Sequence, residues 1–383
     1  LRPLGALVFR SGLSAFRETG MSVFDHTLSS RIVLRAALCV GALGALLSGP
    51  ARADDSRTFA IGWWTQATNS SDDDCANGIN PGIVKQYLLN LEPLGLSKQK
   101  IEELAQKDDG DNAEVRELMV YRGRINGEPV NALAHPAAVA DPKLKALTGK
   151  FAFGFDLDGK ATGGFEDPET HQKGIDNQLY RALGCIRSMR GSLQSRPTFW
   201  AWAWGQTLDS MPAWMVTLKG QDLTKDGDVT VTFDRSLDHV RLNIDGSPKS
   251  DASYRIDPDP RSHHVYKGTL KNGVITVASN EDLRLVKNFL TDPELMLHKA
   301  HFRIHLKPDG SIDGFMAGYQ PWRDLYFGFA AGGPGTEFCI IGDVPGIYYL
   351  LKKHADADPD PKTGQNTNIS ARSEEHTSEL QSH

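Results

Sequence analysis

The spacing of apolar residues changes along the chain. In the first third it is helical. Ile83, Tyr87, Leu88 and Leu91 recur at helical intervals behind Pro81, a residue suited to a first helical position. Ser97 reads as the N-cap of a helix over Lys98–Gln106, and residues 112–121 read as a third helix. A short strand over residues 58–64 precedes them. A proline-broken stretch, residues 123–150, leads to a strand-like run at 151–155 and an Asp/Gly-rich loop. A helix then carries Leu179, Ala182, Leu183, Ile186 and Met189 on one stripe, capped by Asp176 or Asn177 and ending near Gly191. From Phe199 to Tyr319 the period falls to two. Strands are expected at 213–218, 229–233, 240–244, 254–256, 265–270, 274–277, 295–306 and 312–317, with turns such as Lys307-Pro308-Asp309-Gly310 between them. One helix, 281–290, interrupts this series, and another, 346–354, follows Asp343 and Pro345. Many short strands separated by turn signals predict a β-rich α+β fold, an antiparallel β-sandwich or barrel-like core with flanking helical segments. Along the chain this gives a mostly helical segment at 54–150, a β-rich core at 151–340, and a helix and loop at 341–371.

Both ends of the chain depart from this pattern. After Met21 come Arg31 and Arg35, an apolar run at 36–47, the helix-breaking Ser48-Gly49-Pro50, and Ala51-Arg52-Ala53. That is the order of a cleavable export signal, with the mature chain expected to start at Asp54. Twelve apolar residues span about 18 Å as helix, short of a hydrocarbon core of about 30 Å, so no retained membrane anchor is expected. Cys39 lies inside the apolar run, not at a lipid-attachment position. Residues 1–20 precede Met21 and read as upstream translation. Residues 372–383, RSEEHTSELQSH, resemble the conceptual translation of a common short-read sequencing adapter. They are set aside as one would an expression tag.

Charge narrows the partners. The chain has 42 Lys+Arg against 48 Asp+Glu, a formal net charge of −6, and the balance stays acidic once the two ends are set aside. Nothing in that favours nucleic acid or an anionic membrane. Three cysteines follow Asp54: Cys75, Cys185 and Cys339. In an oxidising compartment one disulfide among them is expected, with Cys75–Cys185 favoured because both adjoin loop–helix junctions. No CxxC motif is present, so a thioredoxin-type redox site is not indicated.

Four groups of residues carry candidate chemistry. The first is the loop GFDLDGKATGGFEDPETHQKGIDNQ, with Asp156, Asp158, Glu166, Asp167 and Asp176 around glycine turns. Clustered carboxylates supply the hard oxygen ligands that calcium prefers. It is not an EF-hand, since Lys160 and Ala161 occupy a ligand position and the glycine position. The run DLDG…EDPET…GIDNQ resembles the DxDG…DDP…DGIDN repeats of some secreted calcium-binding surface proteins, without their paired cysteines. The resemblance implies calcium. The second group is Trp200, Trp202 and Trp204, which on a strand would share one face about 6.8 Å apart. They would either stack a carbohydrate ring or pack into a core. The third is His298, His301 and His305. On a regular strand His298 points away from the other two, which breaks a three-histidine zinc site. The fourth is Asp356, Asp358 and Asp360, in an Asp/Pro stretch that fits either a second calcium loop or a helix exit.

No GxSxG, Walker, HExxH or dinucleotide motif is present. The reading is therefore an exported, periplasmic or secreted protein, non-enzymatic, of binding or structural role, with calcium as cofactor and a carbohydrate or cell-surface component as the partner class. The competing reading is a periplasmic carbohydrate-active hydrolase using an acid pair such as Asp156 and Glu166 with the tryptophans as platform.

Overall fold

Alternation along a strand places successive side chains on opposite faces, so a period-two segment needs a sheet with one covered face. In the computed structural model these segments form such a sheet. The structure describes residues 54–66, 72–81, 83–106, 113–186, 189–190, 211–244, 246, 248–286, 294–330 and 344–380. The chain divides into two units, Leu1–Ala51 and Arg52–His383, and every described residue belongs to the second. The expected export leader, Cys339 and the three tryptophans at 200, 202 and 204 lie outside the described residues.

The strands are β1 (Asp55–Gln66), β2 (Arg124–Ile125), β3 (Glu128–Pro129), β4 (Phe165–Glu166), β5 (Lys173–Ile175), β6 (Pro212–Gly220) and β7 (Gly227–His239). After them come β8 (His263–Lys271), β9 (Val274–Ala278), β10 (Leu283–Val286), β11 (Glu294–Leu306), β12 (Ile312–Pro321), β13 (Ala357–Pro359) and β14 (Asn366–Leu380). One sheet of 10 strands runs β1-β6-β7-β8-β9-β11-β12-β14-β13, with β10 beside β11. β14 also pairs antiparallel with β1, which closes the sheet into a barrel. Of the two shapes expected from the sequence, it is the barrel that forms. Closure removes the open edges that a flat sheet would expose. The inward side chains fill the barrel: Phe59 and Ile61 from β1, Val216 and Leu218 from β6, Phe233 from β7, Tyr266 from β8, Phe302 from β11, Met316 from β12. Phe302 packs against Phe233 at 4.8 Å and Tyr266 at 4.9 Å between ring centroids.

Residues 372–380, part of the segment set aside from the sequence, continue β14 in the structure and pair with both β12 and β1. Main-chain hydrogen bonds carry this pairing, and the side chain of Arg372, the segment's first residue, is buried over the Phe153 and Phe315 rings.

Helices α1 (Ile83–Leu91), α2 (Lys98–Gln106), α3 (Ala113–Glu117) and α4 (Gln178–Leu183) build a second core with helices Trp322–Ala330 and Val344–His354. Tyr87, Leu91, Leu104, Leu183, Tyr326 and Leu351 meet there. The Ser97 cap holds, its Oγ accepting from Lys100 N at 3.3 Å. The bridge Cys75–Cys185 forms, with a Cα–Cα distance of 5.8 Å.

Some elements differ from the sequence reading. Residues 281–290 were expected as a helix. Instead Leu283–Val286 is a strand, paired with Glu294–Leu297 of β11, and Leu283, Leu285 and Val286 enter the barrel core. The apolar spacing there fits both periods, and a neighbouring strand with a buried face decides between them. The expected strands 240–244, 254–256 and 151–155 reduce to isolated bridges, Leu242↔Pro248, Ser236↔Ile256, Phe151↔Glu166 and Phe155↔Asp176. Helix α4 stops at Leu183, where Gly184 caps it, and does not run on toward Gly191. Helix Trp322–Ala330 and strand β14 were not foreseen.

Candidate metal centre

The acidic loop lies on the outside of the barrel. Outward residues of β11, β12 and β14 form its seat. Phe153 stacks on Phe315 with centroids 5.7 Å apart, and the Arg372 guanidinium lies 3.5 Å from the centre of the Phe315 ring. Phe155 and Leu157 pack with Ala317 and Tyr319. Arg303 reaches Asp167 at 3.6 Å and lies over the Phe155 ring. This apolar and cationic footing fixes the chain on either side of Asp156. Two glycines let the loop fold back. Gly174 has φ +79°, and a Cβ there would sit 2.3 Å from Lys160 O; at Gly164 a Cβ would sit 2.6 Å from the Gly174 carbonyl carbon. The strand pair β4–β5 returns the chain to Phe155, where Asp176 N donates to Phe155 O at 2.8 Å. The next residue, Asn177, caps α4 by accepting from Tyr180 N at 3.2 Å.

Three carboxylates meet as a result. One oxygen each from Asp156, Asp158 and Asp176 lies within 4.8 Å of the others. Asp176 is buried, and its Oδ2 accepts from Leu157 N at 2.7 Å and Asp158 N at 3.2 Å. Asp156 Oδ1 accepts from Gly159 N at 2.7 Å. Asp158 holds Lys160 at 2.8 Å. Burial pushes the Asp176 carboxyl up to about 6; the Leu157 amide opposes that, and the Asp158 and Asp356 charges add to it. Burial also acts upward on Asp158, yet its bonds to Lys160 hold it below the usual carboxylate range.

Glu166 and Asp167 lie outside this trio, which corrects the expectation that four or five of the candidate acids converge. Glu166 faces His171 Nδ1 at 3.2 Å. Asp167 turns into its own hairpin, accepting from Glu169 N at 3.0 Å and Thr170 N at 2.9 Å. Acidic residues in a turn most often satisfy nearby backbone amides, and these two do so or pair locally.

The C-terminal acids contribute more than their sequence suggested. Asp356 is held by Ser370, through N and Oγ, both at 2.7 Å. Its charge is felt at Asp176, and the charges of Asp158, Asp176, Asp356 and Asp358 together reinforce burial in raising the Tyr319 hydroxyl. Asp360 only closes its own turn, accepting from Lys362 N and Thr363 N at 2.8 Å. Lys299, unremarked in the sequence, stands 5.6 Å above the Tyr319 ring. It has φ +54° and sits in a β-bulge between His298 and His301, where the ladder slips.

That bulge also corrects the histidine reading. Before it, buried Leu295 and Leu297 face the core; after it, Ala300, Phe302 and Ile304 do. His298 therefore does not share the core-facing side with Ala300 and Phe302, as a regular strand would require. It pairs with Asp282 at 3.0 Å, while His305 pairs with Asp313 at 2.9 Å. No three-histidine cluster forms among the described residues.

No protein-family model matches this chain, and neither a curated protein nor a solved structure matches it.

Proposed function

We propose that this is an exported β-barrel protein of binding or structural role, stiffened by calcium held by Asp156, Asp158 and Asp176. The observation that carries the reading is the convergence of three carboxylates from two separated stretches of one loop. The three oxygens all lie within 4.8 Å of one another, close enough to share one cation with metal–oxygen distances of about 2.3–2.6 Å. Magnesium keeps several waters and is usually held by only one or two carboxylates. A divalent cation also relieves the cost of ionising buried Asp176 beside Asp158 and Asp356. Backbone carbonyls and water complete a shell of six to eight oxygens in such sites.

The disulfide supports an oxidising destination. A leader cleaved after Ala53 would take the chain to the periplasm or beyond, where free calcium is available to a site of modest affinity. Among the described residues no helix is long and apolar enough to cross a membrane. A carbohydrate or cell-surface component remains the partner class.

Thermal melting tests the cation. Calcium in excess over Kd stabilises a folded chain by mass action, by about 2.7 kcal/mol at a hundredfold excess. The melting temperature should therefore rise in millimolar calcium over chelator, and less in magnesium. Equal melting in calcium and chelator would remove the proposal. The N-terminus of the exported chain, read by mass spectrometry, should be Asp54, and a retained Met21 would remove the leader.

A further inference from the structure

The two sulfurs of the Cys75–Cys185 bridge sit in different chemistry. Cys185 is fully buried, with the Asp74 carbonyl oxygen 3.9 Å from its Sγ. Cys75 is partly exposed, and Arg190 Nη1 lies 3.1 Å from its Sγ. The same nitrogen donates to Gly184 O at 2.9 Å. Arg190 Nη2 stands 3.9 Å from the buried carboxylate of Asp74, which also accepts from the Tyr180 hydroxyl at 2.9 Å. The guanidinium thus lies against the Cys75 sulfur.

A guanidinium beside a sulfur stabilises its thiolate and so favours the reduced state of the pair. Each sulfur has a backbone carbonyl beside it, Gly184 O 3.7 Å from Cys75 and Asp74 O 3.9 Å from Cys185, so the guanidinium and the exposure are what distinguish Cys75. Hydrogen bonds also join the two sides alongside the bridge. Asn80 N and Nδ2 donate to Cys185 O at 2.9 and 3.1 Å, and Leu147 N donates to Arg181 O at 2.8 Å.

We propose that Cys75–Cys185 is a reversible redox pair for small thiols, with Cys75 the sulfur under attack and Arg190 the positioning residue for its thiolate. An external thiolate forms a bond to Cys75 Sγ. The Cys75–Cys185 bond breaks, its electron pair passing to Cys185, which takes up a proton and donates it toward Asp74 O. A second external thiolate attacks the outer sulfur of the mixed disulfide, and Cys75 leaves as a thiolate opposite Arg190. The bridge gains two electrons and two external thiols become one disulfide. This inference does not depend on the cation site.

The test equilibrates the full chain in glutathione buffers of graded thiol-to-disulfide ratio. Acid quenching, alkylation and peptide mass spectrometry then distinguish Cys75 and Cys185 from Cys39 and Cys339, while circular dichroism follows the fold. The expected result is reduction of the pair with the dichroism unchanged, and a glutathione adduct on Cys75. Arg190→Gln should need about tenfold more reductant for half reduction, and Arg190→Lys should restore part of that difference. If Arg190→Gln loses its folded spectrum, the adduct position and Arg190→Lys decide. A bridge that yields only as the dichroism is lost, an adduct on Cys185, or a folded Arg190→Gln with an unchanged midpoint would overturn the proposal.

Discussion

At Asp176 two demands oppose each other. The loop needs its Oδ2 to accept from Leu157 and Asp158 amides, while burial and two neighbouring acids resist its charge, raising it to about 6. A carboxyl with a folded pKa above its unfolded value of about 3.9 binds more protons folded than unfolded between those values. Its contribution to stability without calcium therefore falls as pH rises from about 4 to 6 and is level above. Calcium needs the ionised form, so its affinity should climb through pH 6. Asp176→Asn should flatten the first dependence and abolish the second, read as the difference between wild type and variant in chelator and in calcium. An identical pH profile for both proteins would count against this. The difference matters because His354 acts the other way. Burial lowers it to about 4, so its contribution is lost as pH falls from about 6.5 toward 4. A second residue-scale expectation concerns buried Arg235 beside half-buried Asp257, whose Oδ2 accepts from its Nε at 3.0 Å. Asp257→Ala leaves that cation buried without its partner and should cost about 3–5 kcal/mol by urea denaturation. A loss under 1 kcal/mol would place the pair in effective contact with water. The meeting of the trio was legible at this scale, because Asp156, Asp158 and Asp176 stand in one glycine-rich loop. The separation of Glu166 and Asp167 was not, because sequence does not say which acid its own turn will occupy.

Elements with a local signal were read closely. Lys98–Gln106 carries its cap and its stripe, and Asn177 caps α4 as one of two expected residues. Elements that depend on a neighbour were not. Leu283–Val286 becomes a strand because β11 is beside it, and the His298–His301 bulge reverses which residues face inward. The strand pair β4–β5 is the element on which the site depends, and Gly174 is its tightest point. Gly174→Ala meets both a positive φ and the Lys160 carbonyl. It should cost about 1–3 kcal/mol and weaken calcium binding with it. Gly159→Ala is the matched comparison, since its φ is +75° but a Cβ meets nothing within 4 Å. It should cost less and leave the hairpin intact. Equal losses in the two variants, measured by chemical denaturation, would show that close packing at Gly174 does not matter.

The whole molecule joins distant parts of the chain, and that was the least legible level. A β-rich α+β fold follows from period and turns, but alternation does not reveal which strands are neighbours. β1 meets β14 across most of the chain, and β14 in turn meets β12. The barrel interior that results should respond as one packed core. Phe302→Ala removes the ring between Phe233 and Tyr266 and should cost about 3–5 kcal/mol; a loss under 1 kcal/mol would deny the closed interior. The proposed cation site belongs to this scale too, since Asp156, Asp158 and Asp176 rest on the barrel's outer face beside Asp356 of the C-terminal segment. Calorimetric titration of the full chain with calcium at neutral pH is the most direct test. The expected result is one calcium per chain, bound by wild type and by Glu166→Gln, and lost in Asp156→Asn and Asp176→Asn. Absence of binding by wild type, or a Glu166→Gln chain as impaired as Asp176→Asn, would contradict it.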